Sequence, residues 1–486
     1  MKYNFLKKIE HHAKFLSHHQ ALVSNDKSLS YADLYQLIKN CTSILQQHDI
    51  GQGSIVGLSI PDEILHLIVS FSLLAVGAKQ ITLATHDSEP VRTNIAEQVC
   101  VTDIITTNKK YHLMNIGMIL LSNDMVFRNT KQTNNISEGV ILDDNEEQIY
   151  LRTSGTTGDI NIVGFSQQQL ALQSLRHTQY SDERFLKLNS TEHNNTKRHH
   201  LYCLYQGGTC IIRGTSSVPL SSFCHQHEVT WLELTRIHLA DLARNFTPPQ
   251  TKFFPETKII ATGSKIPYEL RRTIQQRVTD KFYVRYGCTE FGSISFVLPD
   301  DHGPTESVGC PYSGVEIEII GNDGEKLPSD MIGKIRIKAD GMATHYVGNP
   351  EKSAHHFHDG WFYPGDMGSL RGDGTLTLHG RQDDMMIMNS LNIFPSEIEH
   401  VLEQHPSIKI ACAVGIPSKV HGEIPVAAVE LYDNVQTTAI ELKAYARENL
   451  ALKTPRKILI LKSLPYSQQG KILRQKLIEI FCKEGA

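Results

Sequence analysis

The stretch YLRTSGTTGDINIVGFS, residues 150–166, decides how the rest of the chain is read. Its first half sets Thr153, Ser154, Thr156 and Thr157 among Gly155 and Gly158. Hydroxyls supply hydrogen bonds there, and glycines let backbone N–H groups come close to phosphate oxygens. A polar hairpin turn is the plainer reading of the same residues. The loop is not the nucleotide triphosphatase pattern, which ends in lysine followed by Ser or Thr. Its second half, DINIVG, carries no positive charge, so a phosphate bound here would find no cation from the loop itself.

On either side of this loop, strand and helix patterns alternate. LSYADLYQLIKNCTSILQ (29–46) has apolar residues at helical spacing behind a capping serine, and IVGLSIP (55–61) reads as a buried strand. ILHLIVSFSLLAVGA (64–78) contains His66 and falls short of the roughly 20 residues that span a bilayer, so it is expected as a buried helix rather than a membrane segment. ITLA (81–84) and VTDIITT (101–107) continue the alternation, which argues for an α/β fold with mostly parallel sheets. After the loop come a helical QQQLALQSLRHT, a strand TCIIRG, a helix around WLELTRIHLADLA (231–243), and strands in TKIIATGSK (257–265) and FYVRYGCTE (282–290). GVEIEII (314–320) and GKIRIKA (333–339) alternate as antiparallel strands do.

RGDGTLTLHGRQDD (371–384) reads as a junction, and the chain divides there into a large domain, 1–381, and a small mobile α+β domain, 382–486. The small domain is expected to open on PSEIEHVLEQH, where Ser396 and Glu399 have capping-box spacing. A net charge of −4 provides no general attraction for nucleic acid or membrane, and the N-terminal residues lack the apolar core of a signal peptide. Nine scattered cysteines without a C-x-x-C pair point to a reducing, cytoplasmic setting without structural zinc. The histidine runs HQHE (225–228) and HHFH (355–358) lack metal-ligand spacing and are expected to be solvated.

Four further stretches carry chemistry. YGCTEFG (286–292) joins Tyr286, an aromatic face, to Thr289, a hydroxyl, and Glu290, a carboxylate suited to Mg²⁺. GWFYPGD (360–366) brings Asp366 to a strand end, GRQDD (380–384) sets Arg381 before the junction, and PYSQQGKILR (465–474) carries Lys471 on a glycine-hinged loop. With the TSGTTG loop, in this order, these stretches resemble the adenylate-forming superfamily of acyl-CoA synthetases, adenylation domains and luciferase, from about residue 30 to about 480. The resemblance implies two steps: a carboxylate attacks the α-phosphate of Mg·ATP to give an acyl-adenylate and pyrophosphate. A thiol of coenzyme A, or of a holo-carrier protein's phosphopantetheine, then displaces AMP. It assigns the triphosphate to Thr153–Gly158, adenine to Tyr286, the α-phosphate to Thr289, Mg²⁺ to Glu290, ribose to Asp366 and Arg381, the hinge to Asp383, and the bridging cation to Lys471. Gly263 and Ser264 fall with the nucleotide site, and His193, Asn194 and Cys288 near the acyl pocket.

Three departures qualify that assignment. Ile160, Asn161 and Ile162 stand where relatives continue P-K-G, so Asn161 replaces a lysine and weaker ATP binding is expected. Asn389 and Ser390 replace small residues in DMMIMNSLNIFP, which narrows the route for a pantetheine arm and keeps a carrier protein open as acceptor. EHNNTKRHH (192–200) offers no acid at 193–195 to pair a substrate ammonium, which disfavours free α-amino acids and leaves aliphatic or aryl acids. The rival readings are a degenerate relative that binds nucleotide or carrier protein without turnover, and a luciferase-like oxygenation.

Overall fold

The computed structural model describes residues 3–127, 145–154, 160–176, 180–244, 254, 256–300, 307–389, 391–418, 420–433, 435–466 and 472–484. A six-stranded sheet runs in the order Gly117–Leu120, Asp103–Thr106, Ile55–Ser59, Lys79–Thr82, Glu147–Ser154, Ile160–Ser166. Its neighbours are parallel except for the last pair, which is antiparallel with Thr153 opposite Asn161 and Ser154 opposite Ile160.

The apolar run forms the helix Glu63–Val76, started by the Asp62 carboxylate on the Leu65 amide and stopped by Gly77 in the left-handed region at φ 78°. It is apolar all round and buried on every side, as a helix between two layers must be. His66 in its middle is satisfied by the Ile60 carbonyl at 3.1 Å and the Thr82 hydroxyl at 3.3 Å. The neighbouring helix, Tyr31–Gln47, starts at a full capping box between Ser30 and Asp33.

The second, fifteen-stranded sheet has a parallel centre in the order Phe282–Cys288, Lys258–Ala261, Trp231–Leu234, Arg184–Lys187, Thr209–Ile211. The chain runs outward from Arg184–Lys187 to Thr209–Ile211, then returns to the other side at Trp231–Leu234. Strand order thus reverses between Arg184–Lys187 and Trp231–Leu234, the kind of switch point at which open α/β sheets bind ligands. One face, through Phe185, Trp231 and Ile260, packs against the helix Asn194–Gln206; the other, through Leu186, Leu232, Ile259 and Val284, packs against Phe223, Leu239 and Ile274 of three other helices.

Two expectations fail in this region. Residues 231–234 are a central strand, not helix, and the helix is only Arg236–Arg244. A short apolar run fits either state, and pairing on both edges decides it. Most of 371–384 is a hairpin of the large sheet, Asp366–Leu370 against Leu376–Arg381, turned at Gly374. The chain leaves that sheet after Arg381.

A third sheet follows, ordered Leu391–Ile393, Met386–Met388, Gly422–Leu431, Ile408–Ser418, with Ile458–Ile460 parallel to Gly422–Leu431 and helices packed on it. The expected capping box is absent. The helix Pro395–Glu403 starts on Pro395, Ser396 donates to the His379 carbonyl, and Glu399 accepts from the Ala413 amide at 3.0 Å and pairs with Arg474 at 2.8 Å. The histidine runs are not uniformly solvated: His227 is buried with its ring 4.4 Å from Phe223, and His358 stacks on Tyr363 at 4.1 Å. Among the described residues no helix is long and apolar enough to cross a membrane.

Burial pushes His66 down to about 3, helped by Lys197, and burial with Lys187 beside it does the same to His200. Both are neutral in the fold, whereas the unfolded chain takes up protons near pH 6.5. Their stabilisation is complete above that value and lost as pH falls toward 3. Urea unfolding at pH 7 and 5.5 should show a loss of about 1 kcal/mol per buried histidine. His66→Gln should flatten the pH dependence by that amount, and an unchanged slope would contradict the assignment.

Candidate active site

The strand Phe282–Cys288 carries YGC into a tight turn, and Gly292–Val297 returns antiparallel with a register shift between Tyr286 and Gly287. That shift re-aims the side chains at the strand end. Tyr286 donates from its hydroxyl to Asp366, and Asp366 lies opposite Arg381 in the neighbouring hairpin, with their charged atoms 3.4 Å apart. Burial raises the Asp366 carboxyl and Arg381 counters it. Asp383, exposed just beyond, is 3.6 Å from the other guanidinium nitrogen of Arg381. Three residues far apart in sequence thus form one row: phenol, carboxylate, guanidinium.

Glu290 follows in the turn. One carboxylate oxygen accepts the Tyr346 hydroxyl at 2.8 Å, and its backbone carbonyl accepts the Ala343 amide at 2.8 Å. Burial, with Glu290 beside it, raises Tyr346 and keeps the phenol a donor. The segment that carries Tyr346 also pairs with the strand after the phosphate loop, through the Val163–Tyr346 bridge and the Val347 amide on the Ile162 carbonyl at 2.7 Å. Glu290 is thereby tied to the Glu147–Ser154 hairpin. A hard carboxylate oxygen suits Mg²⁺, which takes one or two protein carboxylates and completes its shell with phosphates and water. Among the described residues no group of three His, Cys, Asp or Glu could hold a metal by itself. A Mg²⁺ shared between Glu290 and a nucleotide fits that donor set.

Thr153 is buried in the hairpin opposite Asn161, itself buried. Ser154 ends the strand; Gly155, Thr156, Thr157 and Gly158 lie outside the described residues, as does Lys471. Gly263, at φ 94°, and Ser264 are exposed at the end of the Lys258–Ala261 strand, and open space surrounds Gly263 where a Cβ would stand. His193 caps the helix Asn194–Gln206, with its ring 4.9 Å from His86 and its buried Nδ1 without a partner. Burial, with His86 and Arg152 beside it, pushes it down to about 4. The Asn194 amide donates to the Arg152 carbonyl at 2.6 Å and so braces the strand that enters the phosphate loop. Cys288 is half-buried, and its carbonyl is an acceptor for Arg198.

The family description AMP-binding enzyme fits residues 9–347, and AMP-binding enzyme C-terminal domain fits 397–471. The chain belongs to the adenylate-forming superfamily. A probable CoA ligase of Humulus lupulus, CCL9, is 26% identical over 97% of this chain and 95% of its own. A fatty acid–[acyl-carrier-protein] ligase, ScoC of Streptomyces coeruleorubidus, is 32% identical over 47% of this chain and 45% of its own. The structure of o-succinylbenzoate CoA synthetase (MenE) from Bacillus subtilis, with its acyl-adenylate intermediate, shares the fold. Its TM-score is 0.85 at 24% identity, over 98% of this chain and 97% of that one. The enzyme is an acid–thiol ligase by family.

Two supports of the Thr289–Glu290 turn were missed in the sequence. Tyr346 is one; the motif TEFG gives no hint of a partner 56 residues on. Arg198 is the other: buried in the Asn194–Gln206 helix, it donates to the Thr289 carbonyl at 2.7 Å and the Cys288 carbonyl at 3.2 Å. The run EHNNTKRHH was read only for its lack of an acid at 193–195, and burial of Arg198 reveals its role. Arg198 is a positioning residue. Arg198→Met should lower kcat by roughly 10²-fold while KM for ATP moves far less, because a shift of about 1 Å at the reacting groups costs that much. Arg198→Lys should recover part of it. Equal loss of both parameters, or no rescue, would mean that Arg198 serves the fold alone.

Proposed function

We propose that this enzyme activates an aliphatic or aryl carboxylic acid with ATP and then passes the acyl group to a pantetheine thiol. The observation that carries the reading is the hydrogen-bonded row of Tyr286, Asp366 and Arg381 beside the Glu290–Tyr346 pair: an aromatic face, a diol acceptor and a cation ligand in one place. In the first step a carboxylate oxygen bonds to the α-phosphorus and the bond to pyrophosphate breaks. Thr289 would hold the α-phosphate, Glu290 the Mg²⁺ that neutralises phosphate charge, Tyr286 the adenine, and Asp366 with Arg381 the ribose. Gly263 and Ser264 would line the nucleotide, and the loop Thr153–Gly158 would cradle the departing pyrophosphate.

Lys471 would bridge the attacking carboxylate and the α-phosphate, where two anions meet and a positioned cation is worth several kcal/mol. In the second step the thiol sulfur bonds to the acyl carbon and AMP leaves. We place the division between the domains at 381/382, with Asp383 as hinge. Coenzyme A is the favoured acceptor, with a carrier protein as the alternative, since named relatives include both kinds. His193, Asn194 and Cys288 stand at the acyl side of the site.

ATP–pyrophosphate exchange over a panel of acids tests the reading, and exchange with none of them would sink it. Lys471→Ala should abolish exchange, by at least roughly 10²–10³-fold. It should leave thioester formation from synthetic acyl-adenylate largely intact. Equal loss of both reactions would contradict a lysine that serves only the first step.

A further inference from the structure

On the sheet face covered by the Asn194–Gln206 helix, three charged side chains meet where only apolar ones would be expected. Lys187, the last residue of its strand, pairs in register with Glu233 across the switch point, and its ammonium is 2.8 Å from the Glu233 carboxylate. Arg285, two strands over and on the same face, reaches the same carboxylate oxygen. Side-chain exposure is 4% for Lys187, 0% for Glu233 and 3% for Arg285, so all three are out of water. Arg198, which holds the Thr289 carbonyl, also presses its charge on Lys187. Lys187 and Arg285 therefore share one carboxylate with Arg198 close by, and burial, with Arg285 and Arg198 beside it, pulls Lys187 well below the usual lysine range.

A finished structural ion pair would leave no donor over, because buried polar groups are paired in the great majority of cases. Here Arg285 Nη1 and Nη2, Arg198 Nε and His200 Nε2 are buried without a hydrogen-bond partner, and so is one acceptor, Glu233 Oε2. An excess of buried positive charge with unused donors costs several kcal/mol unless an anion completes it. The cluster sits at the carboxyl ends of parallel strands, at the point where strand order reverses, which is where such sheets receive small molecules.

We infer that the acid activated by this enzyme carries a second anionic group, a carboxylate or sulfonate, received by Arg285 and Lys187 at the switch point between the Arg184–Lys187 and Trp231–Leu234 strands. Glu233 is the internal counter-ion that holds the two cations when no substrate is present. The inference rests on the acid-activating function proposed above and narrows it to one substrate class.

The test is ATP–pyrophosphate exchange by the full chain with acetate, butyrate and benzoate against malonate, succinate and sulfoacetate. The best dianionic acid should exceed the best monoacid in kcat/KM by roughly 10⁴-fold or more, the scale on which a site built to hydrogen-bond a group rejects an analogue without it. Arg285→Gln should shrink that ratio to a few-fold. Glu233→Gln should lower KM for the dianionic acid, since it removes the competitor; a folding role alone predicts no such gain. The wild-type panel needs no variant and stands even if one fails to fold. Efficient exchange with monoacids and no preference for a second anion overturns this inference and leaves the proposed function intact. No exchange with any acid overturns both.

Discussion

The arrangement of the site depends on burying four consecutive ionisable side chains, Lys197 to His200, in one helix of the large domain. Each must find a partner inside the protein, and each finds it on a different element. Lys197 donates to Gln80 at 2.8 Å, in the six-stranded sheet, and burial lowers it to about 7. Arg198 takes the carbonyls of the catalytic turn, His199 meets the Tyr180 hydroxyl at 2.8 Å, and His200 meets Thr191 at 3.1 Å. A buried unpaired charge costs far more than a typical hydrogen bond returns, so these partners are fixed by necessity. The helix is thus a polar hub between the two sheets, and the turn that bears Thr289 and Glu290 is one of its spokes.

This explains how a turn at the end of a strand can hold Thr289 and Glu290 in place. Its carbonyls are held from behind by Arg198, and those after it by Arg176, which donates to Phe291 at 3.1 Å and packs over that ring at 4.8 Å. From the front, Tyr346 fixes the Glu290 carboxylate. Two arginines and a tyrosine from three separate segments constrain one short turn, and all three are buried or half-buried enough for their bonds to persist.

Legibility in the sequence followed the range of the interaction. The capping Ser30, Gly77 and the alternating strands are local, and spacing alone located them. Tyr286, Glu290, Asp366 and Arg381 were singled out because each lies in a short motif, and the structure brings Tyr286, Asp366 and Arg381 into contact. Trp231–Leu234 was misread because four apolar residues carry no period of their own, and its state is set by pairing on both edges. Ser396 and Glu399 have the spacing of a cap, but Pro395 already starts that helix, and Arg474 and His379 claim their side chains. Lys187, Glu233 and Arg285 were invisible for the same reason: they occupy ordinary strand positions, and their meeting depends on the order of strands.

The small domain applies the same logic to the loop that carries Lys471. The segments on both sides of it are anchored: Tyr466 pairs with Ile472, and the Leu473 amide donates to the Pro465 carbonyl at 2.8 Å. Upstream, buried Glu430 accepts the Leu464 amide at 2.7 Å and the Tyr466 hydroxyl at 2.8 Å. Downstream, Arg474 pairs with Glu399 and lies 3.4 Å from Asp384, the residue after the hinge position. The proposed rotation about Asp383 would carry this segment with it, since Asp384 and Arg474 are joined through one guanidinium. With Asn161 in place of a lysine, the phosphate hairpin contributes no cation from that position. In the reaction proposed above, the cation at the α-phosphate would be Lys471, and the Arg474 linkage to Asp384 and Glu399 would fix the segment that delivers it.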